Sequence, residues 1–305
     1  MLLISQTALE LGFLYALVAM ALFLSYRILD IADLTTDGCF VLGGAVSVTL
    51  AAAGHPILAI PAAMAAGACA GFVTAFLQTR LGVPSILAGI VTNTGLYTIN
   101  LMVMGWRSNA SLLGVDTVFL LLEDGLEAIG LGGKWNGILL AGLVTALMGG
   151  LLYRFLGTRL GLSIRATGDN RDMVRASSIN PARTITVGLC ISNALTALSG
   201  GMVGQYQRTM DINSGTGVVV IGLACLIIGE TVLGRRAVWK GVVAAVVGSV
   251  IYRFLYAVVF YTNAVPVECL KLLTAAIVGL AIAAPTIKHY LAFQRRKAAS
   301  RKEEG

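Results

Sequence analysis

Charged side chains are scarce: Asp, Glu, Lys and Arg make up 12% of the 305 residues. A soluble domain carries roughly 25%, so a water-facing surface cannot be assembled from this chain, and lipid is the solvent for most of it. Histidine is nearly missing, with His55 and His289 alone, and no His/Glu zinc pattern occurs. There is no Gly-x-x-x-x-Gly-Lys-[Ser/Thr] phosphate loop. Gly132-Gly133-Lys134 is followed by Trp135, and Ala128 stands where the first glycine would have to be. No Gly-x-Ser-x-Gly nucleophile motif stands out either. Neither catalytic nor metal-ligating residues are therefore expected. The five cysteines (Cys39, Cys69, Cys190, Cys225 and Cys269) lie in or beside apolar runs without ligand spacing and read as small packing residues.

What the chain does have is apolar length. Hydrophobic residues make up 57%, and there are 36 glycines, a residue more frequent in membrane helices than in soluble ones. A span needs about 20 predominantly apolar residues. Nine stretches qualify: 8–25, 35–53, 57–78, 84–104, 137–156, 184–204, 216–233, 238–260 and 267–287. The expected fold is all-α and polytopic, one transmembrane domain over 1–305 with about nine helices (8–10). Only Gly54, His55 and Pro56 separate the second and third spans, which predicts a tight helical hairpin. The first run lacks a basic leader and a clear cleavage site, so it reads as a retained span. The segment 105–136 is the one long connection before the centre and has room for a short surface helix.

The net charge is +7. Its distribution points to an anionic leaflet, not to nucleic acid, because the arginines cluster between apolar runs. With nine spans, alternate loops hold Arg27; Arg80; Arg154 to Arg183; Arg235, Arg236 and Lys240; and a basic tail, 288–305, with Lys288, Arg295, Arg296 and Lys297. The intervening loops hold Arg107 and Lys134 among four acids, then Arg208 with Asp211, then Glu268. The positive-inside rule then places the N-terminus outside and the C-terminus in the cytoplasm of a bacterial inner membrane. An eight- or ten-span chain breaks the alternation unless one segment is re-entrant. The tail is an expected lipid anchor or orientation signal.

Residues 157–183 form the longest polar stretch on the inner side. Thr167-Gly168-Asp169-Asn170 looks like a turn with Asp or Asn as helix N-cap, and Asn180-Pro181 stops that helix and starts the next span. On composition alone this is either a lever that pushes on a partner or a solvated connector.

Polar groups within apolar runs face a cavity or another helix. Asp37 opens the second span beside Thr35, Thr36 and Gly38, where a local break frees peptide groups. Asn93 and Asn100 lie two turns apart on one face, and Ser192, Asn193, Thr196 and Ser199 make a second stripe. Thr35, Thr36, Asp37, Asn93, Asn100 and Asn193 are the candidate lining of a solute path; interhelical hydrogen bonding is the other use of such side chains. Glu230 is the second deep charge. Gly67-x-x-x-Gly71 and Gly200-x-x-x-Gly204 are close-packing faces, within the chain or at a dimer seam. Gly38 to Ala45 echoes Gly217 to Ala224 in spans of opposite direction, as an inverted repeat would.

Gly161-x-x-x-Arg165-Ala166-x-Gly168-x-Asn170, followed by Ala176-Ser177-x-Ile179-Asn180, resembles the coupling-helix signature of ABC importer permeases of the branched-chain amino acid and ribose group. Asp33-Leu34-Thr35-Thr36-Asp37-Gly38 with Leu42-Gly43 resembles the polar break after that family's first span. The similarity covers nearly the whole chain, and the variant it is most similar to is the permease of tryptophan/tyrosine-type importers. The resemblance implies an ABC permease fold. It also implies a coupling loop (Gly161, Arg165, Ala166, Gly168, Asp169, Asn170, Ala176, Ser177 and Asn180) that docks on a cytoplasmic ATP-binding subunit. Two permease copies, a homodimer in the simplest case, would work with an external solute-binding protein. Mg-ATP would be bound by the partner ATPase and no cofactor by this chain. The solute would be an amino acid, aromatic or branched-chain, with a sugar or nucleoside as the alternative. A secondary transporter or channel without an ATPase is the rival class; it would need an ionisable relay through several spans.

Overall fold

The computed structural model describes residues 2–128, 135–234 and 237–261, with isolated positions 275, 276, 279 and 283 beyond. The candidate span 267–287, the tail 288–305, and Lys134, Arg235, Arg236, Glu268 and Cys269 fall outside or almost outside that set. The described helices are α1 (Leu2–Leu22), continued by a π-helical stretch (Phe23–Ile28), α2 (Thr36–Ala52), α3 (Pro56–Thr79), α4 (Ser85–Val103), α5 (Val118–Ala128) and α6 (Asn136–Leu156). They continue with α7 (Arg159–Asp169), α8 (Arg171–Ala176), α9 (Pro181–Gln207), α10 (Val218–Leu233) and α11 (Val238–Tyr261). Two short strands, β1 (Asn109–Ser111) and β2 (Thr209–Asp211), pair antiparallel with Ala110 opposite Met210.

Among the described residues, seven helical segments are long and apolar enough to cross a membrane, and α2 is a shorter apolar helix. Eight of the nine stretches read from the sequence thus fall on helices. The departure is α2: at 17 residues it is too short to cross alone, because the chain between Ile28 and Thr36 is not helical. The predicted hairpin forms as α2 and α3, with Gly54 at φ +86° and Pro56 opening α3, a position where its missing N–H costs nothing.

The most enclosed spans are α1 and α9. The bundle is organised around their contact, with α2 and α3 against α9, α10 and α11 against α1, α6 beside α1, and α4 outside α2. Apolar residues surround α1 on all faces, as a helix buried on all sides requires. Hydroxyl groups of its neighbours donate to its carbonyls: Ser249 to Gly12 (2.7 Å), Thr145 to Phe13 (2.8 Å), Ser199 to Leu14 (2.7 Å) and Ser192 to Ala21 (2.8 Å). Such bonds hold helices together where lipid offers no hydrophobic drive.

Both small-residue faces are used inside the chain. A Cβ on Gly67 or Gly71 would overlap the α9 carbonyls of Asn193 or Leu189; one on Gly200 would overlap the Phe40 carbonyl of α2, and one on Gly43 the Ala197 carbonyl. In α11, Tyr252 is buried in the core and Phe254 is half exposed.

Candidate functional site

The direction of each helix fixes the depth of the polar residues. Ser192 meets Ala21 and Ser199 meets Leu14, so α1 and α9 are antiparallel. Gly43 approaches Ala197, and Gly204 approaches Val48, so α2 runs parallel to α9. The chain therefore descends along α1, turns after Ile28, and climbs back in a non-helical segment. Helix α2 starts only beside Asn193, about 18 Å along α9 from Pro181 at 1.5 Å per residue.

Asp33 lies in this returning segment and is 2% exposed. Its Oδ1 accepts from the Thr35 N–H (2.9 Å) and its Oδ2 from the Asn193 side-chain amide (2.7 Å). The Thr36 hydroxyl donates to the Asp33 carbonyl (3.1 Å), and the Thr35 and Thr74 hydroxyls share a hydrogen bond (2.8 Å). The Cys39 thiol approaches the Asn193 carbonyl at 3.4 Å. One buried polar knot thus joins the start of α2 to α3 and α9. The Asn193 Oδ1 has no partner among the described residues.

Asp37 does different work. Its two carboxylate oxygens accept from the backbone N–H groups of Gly217 (3.1 Å) and Val219 (2.8 Å), an N-cap for α10 placed where the helix dipole favours negative charge. Because α10 runs with α1 (Gly222 against Val18 and Leu22, Glu230 beside Arg27), it is antiparallel to α2, and the two helices meet N-terminus to N-terminus. These are the two stretches that echo one another in sequence. On the far side of α2, Asn100 donates to the Gly38 carbonyl (3.1 Å), leaving its Oδ1 unpartnered among the described residues, and Asn93 lies against Gly38. The six candidate path residues therefore gather around the start of α2. Thr35, Thr36, Asn100 and Asn193 are buried, while Asp37 and Asn93 are partly covered. Four cavities among the described residues open elsewhere.

In the sequence Asp33 is visible only as the first residue of the polar Asp33–Gly38 break. Its signal was the polarity of the break itself, but depth cannot be read without knowing that the chain turns back. Arg253 and Glu10 were passed over too. Arg253 stacks on the Tyr15 ring at 3.7 Å, and Glu10 accepts from the Tyr206 hydroxyl at 2.5 Å.

The arginine-rich segment sits at one end of the bundle as two short helices. The Thr158 hydroxyl caps α7, accepting from the Gly161 N–H (3.2 Å). Asn170 ends α7 and caps α8 through the N–H groups of Asp172 and Met173 (3.0 Å each), and Asn180 caps α9 through Ala182 (3.0 Å). Gly161, Ile164 and Thr167 point inward, and Ala166 and Gly168 are half-buried. A Cβ on Gly161 would overlap Phe155, and one on Gly168 would overlap the Ile28 carbonyl at the end of the α1 span. The Thr167 and Thr184 hydroxyls share a hydrogen bond (2.8 Å) that ties α7 to α9. Arg165, Asp169, Asn170, Ala176, Ser177 and Asn180 are exposed, as is Met173 on α8. Nearby, Arg27 pairs with Glu230 at 3.2 Å and joins the end of the α1 span to the end of α10.

A family model described as branched-chain amino acid transport system / permease component matches residues 5–287. A tyrosine transport system permease protein of Clostridioides difficile (strain R20291) is 33% identical over 86% of this chain and 85% of its own length. An uncharacterized protein of Rickettsia prowazekii (strain Madrid E) is 30% identical over 90% of this chain and 95% of its own. A ribose import permease of Escherichia coli (strain K12) is 26% identical over 73% of this chain and 67% of its own. No solved structure matches the chain.

Proposed function

The chain belongs to the branched-chain amino acid transport system permease family and is a multi-pass membrane protein of the ABC permease type; from that premise we propose that it forms the solute path of an ATP-driven importer for an aromatic or branched-chain amino acid. The observation that carries the reading is the seating of α7. Two glycines let it lie on the ends of α1 and α6, while α8 beyond it presents Met173, Arg171 and Arg175 to solvent. A helix pair so placed transmits displacement, because its inner face is fixed to the bundle and its outer face is free to be grasped.

In this reading α7 and α8 face the cytoplasm of a bacterial inner membrane and dock on a separate ATP-binding subunit, which holds the Mg-ATP. The N-terminus is then external and the C-terminus cytoplasmic. A second copy of this chain completes the permease, and an external solute-binding protein delivers the solute. ATP binding draws the two α7–α8 pairs together and biases the bundle between two conformations. Thr35, Thr36, Asp37, Asn93, Asn100 and Asn193 are offered as path residues. In the described conformation most of them are engaged in joining helices, so exposing them requires α2 to part from α9 and from α4.

The tyrosine transport relative supports an amino acid over a sugar or nucleoside; the ribose relative is more distant. Asp169→Arg tests the docking, since Asp169 is exposed. Purified from native membranes, the parent protein should carry vanadate-sensitive ATP hydrolysis with it, and the variant should not. Full ATPase association of the variant would remove the coupling role. Uphill solute uptake by the purified chain alone in sealed vesicles would favour a secondary transporter instead.

A further inference from the structure

Two adjoining hollows at the arginine-rich end form one continuous groove. The first, about 670 Å³, lies between α6, α7 and α11 and includes Arg154, Thr158 and Arg165 in its wall. Among the described residues no carboxylate lines it, and neither arginine has an ion-pair partner. Arg165 also lines the next cavity, where Asp169 and Glu230 stand with Arg27. The second hollow, about 360 Å³, is an apolar furrow between α1, α6 and α11. Tyr153 and Trp239 belong to both hollows and mark their junction. Both are half exposed, and Lys240 lies 5.7 Å from the Trp239 ring.

The furrow exists because α6 presents Gly142, Ala146, Gly149 and Gly150 there. A Cβ on Gly150 would meet nothing within 4 Å, and one on Gly142 only the Phe13 ring at 3.8 Å. Larger side chains would fit at Gly142 and Gly150, so these two glycines are not demanded by helix packing and leave an open channel, whereas Gly149 lies close against Met20 and Val242. From Tyr153 to Gly142 it extends about 16 Å along the helix, close to the half-thickness of a hydrocarbon core of about 30 Å. Cations lie at one end, an aromatic pair at the interface level and an apolar channel one leaflet deep beyond it. That is the order of parts in a phospholipid with an anionic head.

We propose that this groove is a specific site for one anionic phospholipid, its phosphate held by Arg154 and Arg165 and one acyl chain lying along α6 and α11. The site touches α7, so an occupied groove braces α7 against α6 and α11. The inference needs only a membrane-embedded chain and stands apart from the ATPase reading.

The chain has three tryptophans, Trp106, Trp135 and Trp239. With Trp106→Phe and Trp135→Phe, Trp239 becomes the sole reporter. The full-length protein is placed in vesicles containing either phosphatidylglycerol or phosphatidylcholine with dibrominated acyl chains, at equal mole fraction. Trp239 quenching should show several-fold enrichment of phosphatidylglycerol, since each basic group near the surface contributes a factor of about five. Arg154→Gln with Arg165→Gln should remove the preference. Gly150→Leu, which fills the furrow, should lower quenching by both lipids. Equal quenching in the parent overturns the proposal. So does a preference that survives loss of both arginines, which would be general surface attraction. A preference abolished by millimolar inorganic phosphate would indicate a soluble-anion site and likewise overturn it.

Discussion

Asp37 and Asp33 are four residues apart and illustrate two ways of keeping a carboxylate inside an apolar bundle. Asp37 neutralises the positive end of α10 through two backbone N–H groups. Asp33 is held by one backbone N–H and the Asn193 amide. Their variants should therefore fail differently. Asp37→Ala removes an N-cap, a loss of about 0.5–2 kcal/mol, and should lower the melting temperature in detergent, with Asp37→Asn partly restoring it. If Asp37→Ala melts like the parent yet uptake is lost, the residue acts on solute instead. Asn193→Ala strips a donor from a buried carboxylate, which costs about 1–3 kcal/mol or more when the group is charged. Thermal unfolding should show this loss largely relieved in Asn193→Ala/Asp33→Asn, because the two sites are directly coupled. Equal melting of single and double variants would mean that the loss in Asn193→Ala does not come from the stranded Asp33 carboxylate.

At the scale of helices, the glycines divide into those that permit backbone approach and those that do not. Gly200 lies against the Phe40 carbonyl, whereas nothing lies within 4 Å of a Cβ on Gly95. Gly200→Val should force α2 from α9 and give little monodisperse protein on size-exclusion chromatography. Gly95→Ala should be neutral or slightly stabilising, by up to about 1 kcal/mol from helix propensity. A well-behaved Gly200→Val would show that the crossing is looser than drawn. This division also shows what the sequence makes legible. Helix existence follows from apolar length, and close-packing faces follow from small residues four apart, so α3 and α9 were readable. Their partners were not: nothing in Gly200-x-x-x-Gly204 says whether it meets a helix of the same chain or of another. The caps at Asn170 and Asn180 were legible because capping is local chemistry. The polar knot was not. Asp33, Asn193 and Thr74 are brought together by a chain reversal after Ile28, and periodicity carries no information about a non-helical segment that climbs back into the bundle. Asp37 was found by the rule that deep charges are functional, but that rule does not distinguish a helix cap from a solute contact.

Over the whole molecule, the structure has two ends of different character, and the proposed function depends on which faces the cytoplasm. Helix α9, 27 residues long, extends about 40 Å, enough to cross a hydrocarbon core of about 30 Å. At its start lie α7 and α8 with exposed Met173; at its finish the β1–β2 pairing fastens the 105–117 segment, where Leu113 is 83% exposed. Gln205, near that finish, donates to Ser47 and Pro56 and accepts from Val118, binding the hairpin and α5 to the same end. Met173 and Leu113 must therefore lie on opposite sides of the membrane. In a variant with its five cysteines replaced, a membrane-impermeant maleimide applied to intact cells should label Leu113→Cys and spare Met173→Cys. Inside-out vesicles should give the reverse. Labelling of both from one side would contradict the fold. A clean inversion would leave the fold standing but turn α8 away from the compartment that holds ATP, and the lever would have no motor to engage.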